Sequence, residues 1–238
     1  MVKRYLIIGA TGAVGKSLAK IIKKDNNEAH LVAKNETEVS KLAEETGCKF
    51  TVADVQDPEF IEILDKNLSS EEIHGIAYCV GSIDLKPLNL VSKKDYLKSL
   101  EINFFPVVDL IRKFQEKLKK NKASIVLFST VAAKQGFPNH SIISPVKAAI
   151  EGLTISLASE LSPSIRINCI APSLSNSKMA EKLLKNPKIS EAIAKQHPLK
   201  RLGEGSDSAA LAKFLLSDES SWITGQIIGV DGGRSNIG

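Results

Sequence analysis

The 238-residue chain is poor in aromatic residues, which make up 5% of it: eight Phe, three Tyr and a single Trp. Proteins that hold single-stranded nucleic acid stack its bases on such rings. No stacking platform is evident here, so the formal net charge of +5 does not by itself imply a nucleic-acid partner. The lysines are scattered. Their densest run, from Lys117 to Lys122, falls at the end of a helix-patterned segment, where the helix dipole favours cations. Cysteine is scarce as well. Cys48, Cys79 and Cys169 are odd in number, far apart, and form neither a C-x-x-C pair nor a His-linked spacing. A disulfide framework and a zinc site are therefore not expected. No apolar run approaches the roughly 20 residues of a bilayer span. The opening Met-Val-Lys-Arg-Tyr carries no signal core or cleavage pattern. The expectation is a cytoplasmic protein with no membrane partner, no nucleic-acid partner and no metal.

What is present is the balance of a globular protein, with 43% hydrophobic and 25% charged residues. Short runs rich in Ile, Val and Leu at residues 5–9, 29–33, 50–53, 75–79, 124–129, 165–170 and 227–230 read as strands. Helix-patterned segments at 14–24, 36–46, 58–67, 93–120 and 145–161 alternate with them, with a kink expected at Pro106. Apolar strands separated by helix-length crossovers indicate a parallel sheet covered on both faces. No linker divides the chain, so residues 1–238 are expected to form one α/β domain. Its architecture would be a Rossmann-type, doubly wound parallel sheet of about seven strands with helices on both faces. Residues 173–205, with Pro187, Pro198, Gly203 and Gly205, are the least regular stretch. A segment that long is expected to be a substrate loop or lid.

Gly9-Ala10-Thr11-Gly12-Ala13-Val14-Gly15 follows the first strand and opens the first helix. Glycines at this junction permit the tight turn and the close approach of a pyrophosphate, which the helix N-terminus then holds. At the end of the second strand an acidic residue would bind the ribose 2′-hydroxyl of NAD, whereas a basic one suits the 2′-phosphate of NADP. Lys34 and Asn35 stand there, which favours NADP over NAD.

With these features in view, the chain resembles the short-chain dehydrogenase/reductase family over almost its whole length. The tail Thr224-Gly225-Gln226-Ile227-Ile228-Gly229-Val230-Asp231-Gly232-Gly233 is similar to the family's last-strand signature, and Arg166-Ile167-Asn168-Cys169-Ile170-Ala171-Pro172 to the segment before its substrate loop. Ala53-Asp54-Val55 is similar to the pair that lies against the adenine ring. Tyr78-Cys79-Val80-Gly81 keeps only the glycine of the family's Asn-Asn-Ala-Gly motif. The resemblance implies cofactor contacts at Asp54, Val55, Gly81, Pro172, Ser173 and Ser177, although the family has glycine where Ser173 stands and threonine where Ser177 stands. It also implies that Asn103 holds a relay water, that Thr130 orients the substrate carbonyl, and that Lys147 binds the nicotinamide ribose. A homo-oligomer, tetramer or dimer, is implied too.

The family's tyrosine should sit four residues before Lys147, and that position is Ile143. Carbonyl reduction leaves negative charge on oxygen, which needs a proton or hydrogen bond. Isoleucine supplies neither. Thr130, Ser141, Ser144, His140, or Lys147 directly or through water, stand as alternatives. Two functions stay open at this point. One is an NADP-dependent oxidoreductase acting on a small carbonyl or alcohol substrate with an atypical proton donor. The other is a non-catalytic NADP-binding sensor or silent subunit. Leu174, Met179, Leu183 and Leu184 are expected to offer apolar contacts to the substrate.

Overall fold

A computed structural model describes residues 2–237, apart from the side chain at position 182. Seven strands form one sheet: β1 (Arg4–Ile8), β2 (Glu28–Ala33), β3 (Lys49–Val52), β4 (Gly75–Tyr78), β5 (Ser124–Phe128), β6 (Arg166–Pro172) and β7 (Ile227–Val230). Their order is β3-β2-β1-β4-β5-β6-β7, and every neighbouring pair is parallel. The helices are α1 (Ala13–Lys24), α2 (Glu36–Thr46), α3 (Phe60–Leu68), α4 (Lys93–Asn103), α5 (Phe105–Lys120), α6 (Ile143–Leu161), α7 (Glu181–Leu184), α8 (Pro187–Lys195) and α9 (Gly205–Leu216).

The two-residue period of a strand explains how one apolar run serves two cores. In β1, Leu6 and Ile8 join a cluster with residues of α3, α5 and α6, among them Leu64, Leu110, Phe114 and Ile150. Tyr5 and Ile7 point to the other face and pack with Leu18 of α1, Leu42 of α2 and Leu215 of α9. The chain leaves β1 toward β2 on one side and reaches β4 on the other. The strand order therefore reverses between β1 and β4, and a crevice opens there at the C-terminal strand ends, where ligands bind in such sheets.

The elements depart from the sequence reading in three places. The segment 93–120 is two helices rather than one kinked helix. The break is at Phe104, and Pro106 lies in the first turn of α5, where its missing N–H is no loss. For the same reason α6 begins at Ile143, ahead of Pro145. Helix α9 was not legible as an element in the periodicity. It starts with a capping box formed by Glu204 and Asp207, and small residues such as Ser208, Ala209 and Ala212 form much of its buried face.

Candidate active site

The loop between β1 and α1 is shaped by glycine. Gly9 has φ 81°, and a Cβ there would lie 2.8 Å from the Val80 side chain and 2.9 Å from its backbone nitrogen. The N-cap of α1 is Gly12, which offers no side-chain acceptor, and the first turn of the helix has no acidic residue. The N–H groups and positive dipole end of α1 thus face the crevice unneutralised, as an anion site requires.

Over this loop opens a cleft of about 1000 Å³. Thr11, Gly12, Ala13, Val14, Gly81, Thr130, Lys147, Pro172, Ser173 and Ser177 line it, so ten of the residues singled out in the sequence share one wall. Gly9 and Gly15 shape the loop from behind that wall, with Gly15 buried. Leu174, Met179 and Leu183 also line the cleft, whereas Leu184 does not.

Lys34, Asn35, Asp54 and Val55 do not line this cleft. The exposed Lys34 ammonium lies 3.6 Å from Asp54. Asn35 caps α2, its side-chain oxygen accepting from the Glu38 N–H at 3.0 Å. Asp54 accepts from the Gln56 N–H at 3.1 Å, and Val55 packs on the core under the sheet. Local capping and pairing hold these side chains. Charged groups that line the cleft beside α1 and α2 include Lys16, Lys41, Glu38 and Glu45, with Lys178 paired to Glu38, none of which the sequence reading singled out.

Two of the three expected catalytic residues, Asn103 and Lys147, converge at Gly81, and the third, Thr130, lines the same cleft. A Cβ on Gly81 would lie 3.3 Å from both the Asn103 side-chain oxygen and the Lys147 Nζ. Asn103 ends α4 and is itself buried off the wall. Its Nδ2 donates to the Ser99 carbonyl at 2.9 Å and to the Ser82 hydroxyl at 3.0 Å. Lys147 is 7% exposed and donates to the Phe128 carbonyl at 2.9 Å. Burial without a bonded carboxylate pushes its ammonium down to about 8. The Thr130 hydroxyl accepts from the Ala132 N–H at 3.3 Å. Ile143, one helical turn before Lys147 on the same face, lines the cleft with an apolar side chain.

The remaining candidates separate on their contacts. His140 reaches the cleft, but its Nδ1 is 2.7 Å from the Pro138 carbonyl. Ser144 donates to the Ala132 carbonyl at 2.6 Å. The Ser141 hydroxyl, with no hydrogen-bond partner among the described residues, faces a smaller adjoining pocket. Cys79 lines the cleft, but burial pushes its thiol up to about 12, which leaves it a poor nucleophile. Two contacts had no signal in the sequence spacing. Ser129 donates to the buried Glu151 carboxylate at 2.8 Å, and the Ser173 hydroxyl lies 2.8 Å from His197 Nε2. Among the described residues no group of three His, Cys, Asp or Glu is placed to hold a metal ion, and no helix is long and apolar enough to cross a membrane.

Residues 9–235 match a family model described as enoyl-(acyl carrier protein) reductase. A chloroplastic tropinone reductase homolog from Arabidopsis thaliana is 33% identical over 240 residues, covering 97% of this chain and 74% of the relative. A short-chain type dehydrogenase/reductase from Mycobacterium ulcerans superposes with a TM-score of 0.90 at 24% identity, over 98% of this chain and 90% of that one. ElxO, solved with NADP bound, superposes with a TM-score of 0.89 at 25% identity, over 98% of this chain and 99% of that one. A tyrosine-to-phenylalanine variant of ElxO was solved with NADPH bound. With its parallel sheet, glycine loop and lysine-bearing cleft, the chain belongs to the short-chain dehydrogenase/reductase family.

Proposed function

We propose that this protein is an NADP-dependent oxidoreductase acting on a small carbonyl or alcohol substrate, with Ile143 in the position of the family's tyrosine. The observation that carries the reading is the convergence of Lys147, Asn103 and the Gly81 backbone beside the uncapped start of α1. The residues fit a dinucleotide. The α1 N-terminus would hold its pyrophosphate, and Lys147, Gly81, Pro172, Ser173 and Ser177 would surround its nicotinamide half. The cofactor, when bound, supplies hydride chemistry. Lys147 would hold the ribose and place positive charge beside the reacting oxygen, and Thr130 would orient that oxygen by its hydroxyl. NADP is favoured because Lys34 and Asn35, directly after β2, place a basic residue where an NAD-binding chain would carry an acidic one, and because ElxO binds NADP. The ElxO variant with phenylalanine for tyrosine still holds NADPH, which supports cofactor binding in a cleft that carries Ile143.

The loop at 173–205 would cover the substrate, with Leu174, Met179 and Leu183 as its apolar contacts. Exposed Leu97 on α4, Phe105 on α5 and Ile155 on α6 favour a dimer or tetramer. The test is a fluorescence titration with NADPH and NADH, followed by a carbonyl and alcohol panel. Tighter NADPH binding with turnover is expected. Absence of binding to either nucleotide refutes the reading.

A second reading is a non-catalytic NADPH-binding protein, favoured by the apolar Ile143 on the cleft wall. Ile143→Tyr separates the two. Activity arising from nothing supports the silent protein, and altered existing activity supports the enzyme.

A further inference from the structure

Strand β6 ends at Pro172, and the next residue, Ser173, stands on the cleft wall. Its hydroxyl lies 2.8 Å from Nε2 of His197, whose ring is 1% exposed. The other ring nitrogen, Nδ1, is 2.9 Å from the Ile193 carbonyl oxygen, one turn back. A carbonyl only accepts, so Nδ1 keeps its proton and donates. Nε2 is then the ring position where a proton is taken up or released, and it faces Ser173. The segment carrying Asp231 closes over the ring, with a Gly232 Cβ position 3.6 Å from His197 Cβ. Burial opposes ionisation of Asp231, but hydrogen bonds from Ser235 and the Gly233 N–H hold its carboxyl below the usual range.

The Thr130 hydroxyl accepts from the Ala132 N–H, and several other polar groups in and beside the cleft are engaged elsewhere. Lys147 donates to Phe128, His140 to Pro138 and Ser144 to Ala132. Ser82 is bonded to the Asp84 carboxylate, and Ser129 to Glu151. Ser173 is the cleft hydroxyl bonded to an imidazole, and a serine whose base is oriented by a third group is the usual arrangement for moving that serine's proton.

We propose that Ser173 and His197 deliver the proton that Ile143 cannot, a proposal that rests on the oxidoreductase reading above. In reduction, hydride from the reduced nicotinamide bonds to the carbonyl carbon, and the C–O π pair moves to oxygen. Starting from the doubly protonated ring, the Ser173 O–H bond breaks toward that oxygen while Oγ takes the proton from His197 Nε2. The ring ends neutral and is reprotonated from solvent. Oxidation of the alcohol runs the same bonds in reverse. Ser173 touches the substrate as the catalytic donor, and His197 acts through it.

The test compares Ser173→Ala, His197→Gln and the double variant Ser173→Ala/Ile143→Tyr. NADPH binding by fluorescence is measured beside kcat and KM on a carbonyl the wild type reduces. Each single variant should lose about 10²–10⁴-fold in kcat, the usual contribution of a general acid, a loss far larger than any change in NADPH affinity or KM. Tyrosine at position 143 should restore kcat in the Ser173→Ala background, which a role confined to pinning the loop would not allow. In the protein without cofactor, histidine ¹⁵N spectra should give His197 a proton on Nδ1, and Ser173→Ala should move the Nε2 signal. Wild-type kcat in Ser173→Ala, or no rescue by tyrosine, overturns the proposal. So does loss of activity in Ser141→Ala while Ser173→Ala stays active, which would make Ser141 the donor. If the wild type binds NADPH but turns over no carbonyl or alcohol, the oxidoreductase reading itself fails and the proposal falls with it.

Discussion

Replacing Lys147 with methionine should make the cofactor-free protein more stable at neutral pH, and the effect should fade in alkali. The reason is the burial of Lys147, which brings its ammonium from the ordinary 10.5 down to about 8. The folded state thus disfavours the charged form, and the destabilisation is fully present below pH 8. Between pH 8 and 10.5 the unfolded chain holds more protons than the folded one, so stability rises with pH across that window. At about 1.4 kcal/mol per pH unit, the interval corresponds to about 3 kcal/mol. The hydrogen bond to the Phe128 carbonyl is lost with the lysine, which returns about 1 kcal/mol. At pH 7 the variant should therefore exceed the wild type by about 2 kcal/mol, and by pH 10.5 the order should reverse. The assay is urea denaturation of both proteins across pH 7–10.5, reading the difference in free energy so that other titrations largely cancel. The burial of Cys169, whose thiol is pushed up to about 12, is common to both proteins and drops out to first order. A difference that stays constant with pH refutes the reasoning, because it would mean that Lys147 titrates alike in the folded and unfolded states.

Two further outcomes follow from packing and pairing. In Gly205→Ala the new Cβ would sit 2.2 Å from the Ala13 carbonyl oxygen and 2.4 Å from its carbon. Backbone atoms cannot step aside cheaply, so α9 is forced off α1, with a cost of about 1–3 kcal/mol. A lowered Tm and weaker NADPH binding are expected, because Ala13 belongs to the glycine loop proposed to hold the pyrophosphate, and an unchanged Tm contradicts this. Glu71 is 7% exposed and binds Lys49 at 2.6 Å and His30 Nδ1 at 3.2 Å. Burial raises its carboxyl, but those two hydrogen bonds prevail and hold it below the ordinary value. Glu71→Ala leaves Nδ1 of the buried imidazole unpaired, while Nε2 keeps Thr51 at 2.8 Å, and should cost about 1–3 kcal/mol in urea denaturation, whereas a loss within error would show that the pair is structurally idle.

Much of the fold was legible because its causes are local. The apolar runs of β1, β4 and β5 can be satisfied only inside a two-faced sheet. Gly9 and Gly12 mark the strand-to-helix turn by residue type alone. Helix α9 escaped because part of its buried face is Ser and Ala, whose small side chains leave a faint periodic signal, and its close fit to α1 is a property of the pair. The side chain of Lys34 could be placed at the end of β2 but not aimed. Its contact with Asp54 depends on β3 lying beside β2.

By itself the sequence determined the alternating α/β order, the glycine-shaped start of α1, the pairing of Lys147 with an isoleucine one turn earlier, and the absence of a metal-ligand spacing. These depend on neighbours a few residues apart, and helix and strand periods fix where such neighbours point. Only the tertiary structure decided that Asn103 and Lys147 meet at Gly81, that His140, Ser144 and Lys147 are tied to backbone carbonyls, and that Ser173 meets His197 across the intervening loop. Those contacts are set by how the loops return over the sheet and by which side chains burial leaves with a partner, and no local period encodes them.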